Sequence, residues 1–206
     1  MTAIFDPNYI TLLNRFSLET LDNADGPVFG IWSDYRLAYY NSAWTRFALE
    51  NGAGADFTEV WGLGRSIMDA VPEVLRPFYI KFFHTAREKA AELRPVSHVY
   101  DCSAPDKYRQ FNMTVYPVDS RGWVIVNSLF VEASHGAPDY NEIALAQYIE
   151  ESGLVSQCAH CRRVKDAQCP NKWDWVAEWV KRPHPNTSHC LCPVCMDYFY
   201  PSHPKF

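Results

Sequence analysis

Cys158-Ala159-His160-Cys161 and Cys192-Pro193-Val194-Cys195 decide the fold of the last fifty residues of this chain. Each quartet is a C-x2-C turn, which places two cysteine sulfur atoms on the same side of a tight loop. Two such turns that face each other give a closed tetrahedral site of four sulfur ligands, the geometry of structural zinc. The spacing therefore predicts a Zn2+ site with four ligands: Cys158, Cys161, Cys192 and Cys195. An iron site would use the same ligands, and the sequence does not choose between the two metals.

A closed four-sulfur site has no open position for water, so we expect it to stabilise the fold rather than to catalyse hydrolysis. Cys190 is an alternative to Cys192 as a metal ligand, but two cysteines separated by one residue rarely bind one ion with good geometry. Cys192 is preferred because it forms the x2 pair with Cys195. Cys169 follows no ligand spacing. The residues expected at the surface or packed around the site are His160, Cys169, His189 and Cys190.

Composition limits the class of protein. The chain has 206 residues, of which 48% are hydrophobic and 15% aromatic, and this excludes a disordered protein. Its apolar runs are too short for a membrane span. Residues 1–20 lack a basic segment followed by an apolar one, so we expect a cytoplasmic protein without a secretory signal. In a reducing compartment, the six cysteines after residue 157 indicate a metal site rather than disulfides.

The order of predicted elements indicates an α+β fold. Residues 1–21 contain an amphipathic helix at 7–20, which starts at Asp6-Pro7. A domain at 22–133 then reads as two strands, a helical middle and three more strands, which gives a five-stranded antiparallel sheet with helices. The predicted strands are Val28–Trp32, Leu37–Tyr40, Val96–Cys102, Tyr108–Pro117 and Gly122–Glu132. A linker helix within 134–152, capped by Asp139, leads to a small zinc-stabilised module at 153–206.

Three segments of the 22–133 region resemble PAS sensor domains. Asp34-Tyr35-Arg36-Leu37-Ala38-Tyr39-Tyr40-Asn41-Ser42-Ala43-Trp44 is similar to their "dG.i.yvN.aw" segment, and Gly64-Arg65-Ser66-Ile67-Met68-Asp69-Ala70-Val71-Pro72 to "G+sl.d.vP". Tyr100-Asp101-Cys102-Ser103-Ala104-Pro105-Asp106 with Arg109-Gln110-Phe111 resembles the "Y.C.sP...R.f" strand pair of bacterial PAS domains. The resemblance implies a PAS-like five-stranded sheet and a sensor role.

The segment 153–201 resembles the cysteine modules that follow PAS, GAF and receiver domains in bacterial signalling proteins. The likeness rests on Leu154-Val155-Ser156-Gln157-Cys158-Ala159-His160-Cys161-Arg162-Arg163-Val164-Lys165-Asp166 and on Ser188-His189-Cys190-Leu191-Cys192-Pro193-Val194-Cys195. Cys190 stands where these modules usually carry glycine, which supports Cys192 as the ligand.

We therefore expect a signalling or regulatory protein whose zinc module mediates protein contact or dimerisation. A homodimer is expected, with the helix at 7–20 either pairing two chains or covering the sheet. A protein signalling partner is the second expected contact. No membrane contact is expected. Ser-His-Asp, phosphate-loop and H-E-x-x-H patterns are missing, so we do not expect an enzyme.

Two other functions stay open. One is a sensor that binds haem or another small ligand, with His84 as the candidate iron ligand and His98 as a further candidate. The other is nucleic-acid binding through the basic tail. Residues 158–206 hold seven Lys/Arg against four Asp/Glu, whereas the whole chain has a net charge of −5, so this footprint is thin. Six of these seven cations are the candidates for such binding: Arg162, Arg163, Lys165, Lys172, Lys181 and Arg182.

Overall fold

A computed structural model describes residues 3–92, 95–104, 107–134, 145–176, 179–180 and 182–200 of the protein. Its centre is a six-stranded antiparallel sheet with the strand order β1-β3-β2-β6-β5-β4. The strands are β1 (Ile4–Phe5), β2 (Val28–Trp32), β3 (Leu37–Tyr40), β4 (Val96–Asp101), β5 (Lys107–Val118) and β6 (Gly122–Ser134). The predicted α+β class is confirmed. The predicted count of five strands is low by one, because the two-residue strand β1 pairs with the edge of β3.

Helices lie along one face of the sheet, in the N-terminal segment and in the cysteine-rich segment. They are α1 (Pro7–Ile10), α2 (Leu18–Asp22), α3 (Ser42–Glu50), α4 (Phe57–Val60), α5 (Arg76–Glu88) and α6 (Pro193–Phe199), with 3₁₀ turns at Ile67–Asp69, Glu73–Leu75, Lys89–Glu92 and Ala146–Tyr148. Asn41 starts α3, since its side-chain oxygen accepts a hydrogen bond from the Trp44 backbone N–H at 2.9 Å. The helices between β3 and β4 pack on the inner face of the sheet.

The predicted single helix at 7–20 is wrong, because this segment forms two short helices, α1 and α2. Ser17 between them has an extended backbone, and its hydroxyl accepts a hydrogen bond from Thr20 N–H, which starts α2. The Ser17 backbone N–H donates a hydrogen bond to the Asp197 carboxylate at 2.9 Å. A tertiary hydrogen bond therefore takes the donor that a continuous helix would use internally.

The cysteine-rich part of the chain forms a second, smaller sheet with the strand order β10-β7-β8-β9. Its strands are β7 (Val155–Cys158), β8 (Val164–Lys165), β9 (Trp173–Asp174) and β10 (Thr187–Cys190). Strands β7 and β10 run parallel, with Cys158 opposite Cys190. The start of the predicted linker helix, at Asp139, lies outside the described residues, and the described end of that segment is the 3₁₀ turn Ala146–Tyr148.

One hydrophobic core joins the outer face of the large sheet, the N-terminal segment and the cysteine module. This shared core contains Tyr9, Leu12, Leu13, Phe16, Leu21, Val28, Ala38, Tyr39, Tyr116, Val118, Val124, Val126, Cys158, Cys161, Cys192, Val194, Cys195 and Tyr198. The two units also share backbone bonding, since the Trp175 N–H donates to the Leu129 carbonyl of β6 at 3.0 Å. The domain boundary at residue 153 stays a prediction. Within the described residues, no helix combines the length and apolar character that a membrane crossing requires.

A buried polar cluster orders the strands β8 and β9. Asp174 is only 3% exposed; its carboxylate accepts a hydrogen bond from the Tyr148 hydroxyl at 2.8 Å and lies 3.3 Å from the Lys172 ammonium. The same ammonium lies 3.4 Å from the Asp166 carboxylate. Burial raises the pKa of Asp174 from 3.8 to about 6, although the Lys172 charge acts in the opposite direction.

The stability of the protein should therefore depend on the protonation of Asp174. The Asp174 carboxyl binds its proton more tightly in the folded state than in the unfolded chain. The stabilisation that the protonated carboxyl contributes is therefore complete below pH 3.8 and is lost as the pH rises through about 6. We expect the difference in unfolding free energy between wild type and Asp174→Asn to fall by about 1 kcal/mol from pH 5 to pH 7. Urea unfolding at several pH values measures this difference. Parallel pH curves for the two proteins would contradict the assignment.

Candidate metal centre

The structure brings the four predicted cysteines together in one buried cluster. One sulfur from each residue lies within 4.8 Å of the other three, and the cysteines are between 0% and 4% exposed. The Cys161 and Cys192 sulfur atoms are 3.7 Å apart. In a tetrahedron of sulfurs around zinc with 2.3 Å bonds, each edge measures about 3.8 Å. The cluster therefore fits a single tetrahedral ion of zinc size, and thiolates are ligands that such an ion prefers.

Local structure positions each pair of cysteines. Cys158 ends β7, and the turn that follows closes through a hydrogen bond from Arg162 N–H to the Cys158 carbonyl at 2.9 Å. Arg162 adopts a left-handed backbone with φ of 63°, which reverses the chain directly after Cys161. Cys192 precedes α6, with Pro193 at the first helical position, so Cys195 lies in the first turn of that helix. A strand end and a helix start thus supply two ligands each.

Arg163 is buried against the sulfur cluster, a role that no feature of the sequence predicted. The residue is only 3% exposed. Its guanidinium donates one hydrogen bond from Nε to the Cys161 sulfur at 3.0 Å and another from Nη2 to the Cys192 sulfur at 3.2 Å. Burial disfavours the charged guanidinium, but the Cys161 and Cys192 thiolates outweigh burial and raise its pKa. Four thiolates on a divalent ion carry a net charge of −2, so one buried cation halves the charge that must be buried.

Tyr116 connects the cluster to the large sheet. This residue of β5 is fully buried, and its hydroxyl lies 3.1 Å from the Cys195 sulfur and 3.3 Å from Arg163 Nη2. Its ring packs edge-on against Phe16 and Tyr198, with centroids 5.9 and 5.2 Å away. The Tyr198 hydroxyl then donates to the Pro117 carbonyl at 2.9 Å. The only sign of this in the sequence is that Tyr116 alternates with the apolar residues of β5, which does not reveal its contact with sulfur.

The protonation of the four thiols is uneven. Burial raises the pKa of Cys192 and of Cys195. Burial also opposes ionisation of Cys161, but hydrogen bonds from the neighbouring cysteines and the Arg163 charge lower its pKa below the usual range. A metal ion must therefore displace protons from Cys192 and Cys195, so its affinity should fall in acid.

The competing residues lie outside the cluster of four. Cys190 is half-buried, and its thiol donates to the Gln157 carbonyl at 3.7 Å. Cys169 is exposed. The His160 ring stacks on Phe199 at 4.2 Å, and His189 Nε2 lies 3.4 Å from the Arg162 guanidinium. These positions agree with the expectation that the four residues pack around the site or lie at the surface.

The two histidines considered for haem lie on the opposite face of the sheet. His84 on α5 is exposed, and its Nε2 is 3.4 Å from the Tyr35 hydroxyl, so an iron ligand there would face solvent. His98 on β4 packs against the ring of Phe78 at 4.7 Å, and partial burial lowers its pKa. Neither residue lies near the sulfur cluster.

Two of the basic tail residues serve the interior rather than the surface. Arg163 bonds the cysteine sulfurs, and Lys172 lies between the Asp166 and Asp174 carboxylates with 24% of its side chain exposed. Lys181 lies outside the described residues. The positive footprint of the tail is thus smaller than the sequence count indicated, which weakens the nucleic-acid hypothesis.

Serine substitutions distinguish the two neighbouring cysteines. We expect Cys192→Ser to lose bound metal and to unfold the module, because one of four ligands is gone and metal binding supplies about 10–16 kcal/mol to such modules. Cys190→Ser should keep the metal, since this thiol lies outside the cluster. Metal analysis of both purified variants measures the difference. Metal loss in Cys190→Ser alone would contradict the ligand choice.

Removal of the buried guanidinium tests its electrostatic role. Arg163→Met should lower metal affinity by about 10- to 100-fold, the usual effect of losing a group that hydrogen-bonds the ligands. Arg162→Met is the matched control, because that side chain points to His189 and not to the sulfurs. Competition with a coloured zinc chelator measures both affinities. Equal affinities in the two variants would exclude a specific role for Arg163.

Comparison with known proteins adds no further identification. No protein-family model matches the chain, and the search of curated proteins finds no matching relative. The chemistry of the sulfur cluster and its place in the fold are therefore the basis for assigning a function.

Proposed function

We propose that this protein is a signalling or regulatory protein in which a PAS-like sensor unit is coupled to a structural zinc module that mediates protein contact or dimerisation. The observation that carries this proposal is the buried cluster of four cysteine sulfurs, which belongs to the same hydrophobic core as the outer face of the large sheet. A metal centre placed there stabilises both units together.

The chemistry of the cluster supports a structural role for the metal. All four protein ligands are cysteines, and a closed set of four sulfurs leaves no coordination position for a substrate. The ligands are almost fully buried, and Arg163 and Tyr116 hold them on the inner side. When bound, zinc would cross-link the β7 turn to α6.

The arrangement of the large sheet supports the PAS-like part of the proposal. Helices α3 to α5 lie between β3 and β4, which matches the strand and helix order implied by the resemblance. Two of the similar segments meet in space, since the Leu37 N–H donates to the Arg65 carbonyl at 2.7 Å and the Ile67 N–H to the Tyr35 carbonyl at 3.0 Å. These backbone hydrogen bonds join the two PAS-like segments to each other in the fold.

Asn41, within the first similar segment, is the clearest example. It is fully buried, and its side-chain oxygen accepts hydrogen bonds from the Val28 and Trp44 N–H groups. Its amide group lies 3.1–3.3 Å from the carbonyls of Leu21, Ala24 and Gly26. One side chain thus fixes the start of β2, the start of α3 and the loop that follows α2.

Dimerisation through the N-terminal segment has less support than the rest of the proposal. Tyr9, Leu12, Leu13 and Phe16 are all buried in the shared core, so their apolar surface already covers the sheet. This burial favours a segment at 7–20 that covers the sheet over one that pairs two chains. Contact with a second chain or with a partner would have to use other surfaces.

Metal analysis, an absorption spectrum and sedimentation of the purified protein test the proposal together. We expect about one zinc per chain, no visible absorption band and a dimer. If the metal analysis finds iron and the spectrum shows thiolate-to-iron charge-transfer bands, the four cysteines bind iron rather than zinc. A Soret band would favour a haem sensor instead. A zinc-loaded monomer would contradict dimerisation and leave partner contact as the output. Nucleic-acid affinity that falls steeply with added salt would favour the third hypothesis.

A further inference from the structure

A surface cavity that does not include the four clustered cysteines has an excess of positively charged side chains in its lining. Its volume is about 480 Å³, and it lies between the segment after α1, the end of α5 and the turn that joins β5 to β6. Three arginines from these three parts of the chain line it: Arg15, Arg87 and Arg121. Sites for small ligands commonly measure about 300–1,000 Å³, so the size suits a small molecule.

Arg87 is the most informative of the three arginines. Its guanidinium carbon lies 4.2 Å from the centroid of the Trp123 ring, a stacked cation–π contact. Its Nε and Nη2 atoms are buried and have no hydrogen-bond partner among the described residues. Buried donors without acceptors are rare in folded proteins, because they lose their bonds to water without replacement. Because Nε and Nη2 are closed off from the cavity, Nη1, which is not among these buried atoms, is the donor of this guanidinium that a ligand in the cavity would reach.

The charge of the cavity is not balanced by nearby carboxylates. Among the described residues that line it, Asp119 is the single acidic one, and Arg121 already pairs with it at 3.3 Å. Arg15 lies over the Tyr198 ring at 5.5 Å, and no carboxylate of the described residues forms an ion pair with Arg15 or with Arg87. The described lining therefore has two excess positive charges, in a protein whose net charge is −5.

We propose that this cavity binds a small phosphate-bearing molecule. A guanidinium presents a planar fork of N–H donors that matches phosphate oxygens, and two excess cations match a dianionic group. Asn14 and Ser120 line the same cavity, and both residues carry side chains that can donate hydrogen bonds. The cavity is wider than one phosphate ion requires, so the ligand should carry a second phosphate or an organic group.

This site is separate from the proposed metal centre. Tyr198 lines the cavity, and its ring also packs on Tyr116, which contacts the sulfur cluster. Binding of the anion requires neither a metal ion nor the sensor role proposed above, so the two hypotheses succeed or fail independently.

Calorimetric titration of the purified 206-residue protein with pyrophosphate tests the proposal. We expect dissociation in the micromolar to low millimolar range that weakens with added salt. Arg87→Gln and Arg15→Gln should each weaken pyrophosphate binding by about tenfold or more. Arg36→Gln is the matched control, because this exposed arginine pairs with Asp34 at 3.4 Å and does not line the cavity. Its affinity should equal that of the wild type.

Two further measurements keep the result interpretable. Circular dichroism and metal content report whether each variant is folded, and Arg15→Gln guards against misfolding of Arg87→Gln because the Arg15 side chain is exposed. Succinate, a dicarboxylate, tests the preference for phosphate. The proposal is overturned if pyrophosphate does not bind at ~10 mM, if succinate binds equally tightly, or if Arg36→Gln weakens binding as much as Arg15→Gln.

Discussion

The contact between the Arg163 guanidinium and the cysteine sulfurs is the interaction on which the rest of this structure depends. A metal bound by four thiolates leaves a net negative charge, and burial of that charge beneath a hydrophobic sheet is costly without a nearby cation. Arg163 supplies the cation, and Tyr116 from β5 completes the hydrogen bonding at its inner end. Because Tyr116 belongs to the large sheet, the sulfur cluster and that sheet cannot be packed separately.

This arrangement explains how a module of some fifty residues holds its shape. The smaller sheet contains short strands, two of them with two residues each, and a chain of this size gains limited stability from its own core. It therefore shares the core of its neighbour, with Phe16 and Tyr198 packed around Tyr116. A metal ion bound by the four cysteines would further cross-link this module.

The two faces of the large sheet consequently have different tasks. The outer face holds the cysteine module and the N-terminal segment, whereas the inner face packs aromatic side chains of α5 around Trp123. Trp123 also supports the Arg87 guanidinium at the rim of the arginine-lined cavity. A ligand there would contact a side chain that is stacked directly on the inner core, which gives a short physical route from surface binding to the packing of the sheet.

The sequence by itself determined the α+β class, the positions of β2 to β6 and the identity of the four clustered cysteines. These features follow from local signals: alternation of apolar residues, turn residues between strands, and the fixed reach of a C-x2-C turn. Only the tertiary structure decided that the segment 7–20 forms two short helices separated by residues 11–17, where the Ser17 N–H donates to Asp197, an acceptor distant in sequence. The same holds for Arg163, which the sequence placed only among the cations of the tail, and for Tyr116, for which the sequence predicted no role. Their roles depend on which buried charge they meet, and that is fixed by packing between distant segments rather than by local pattern.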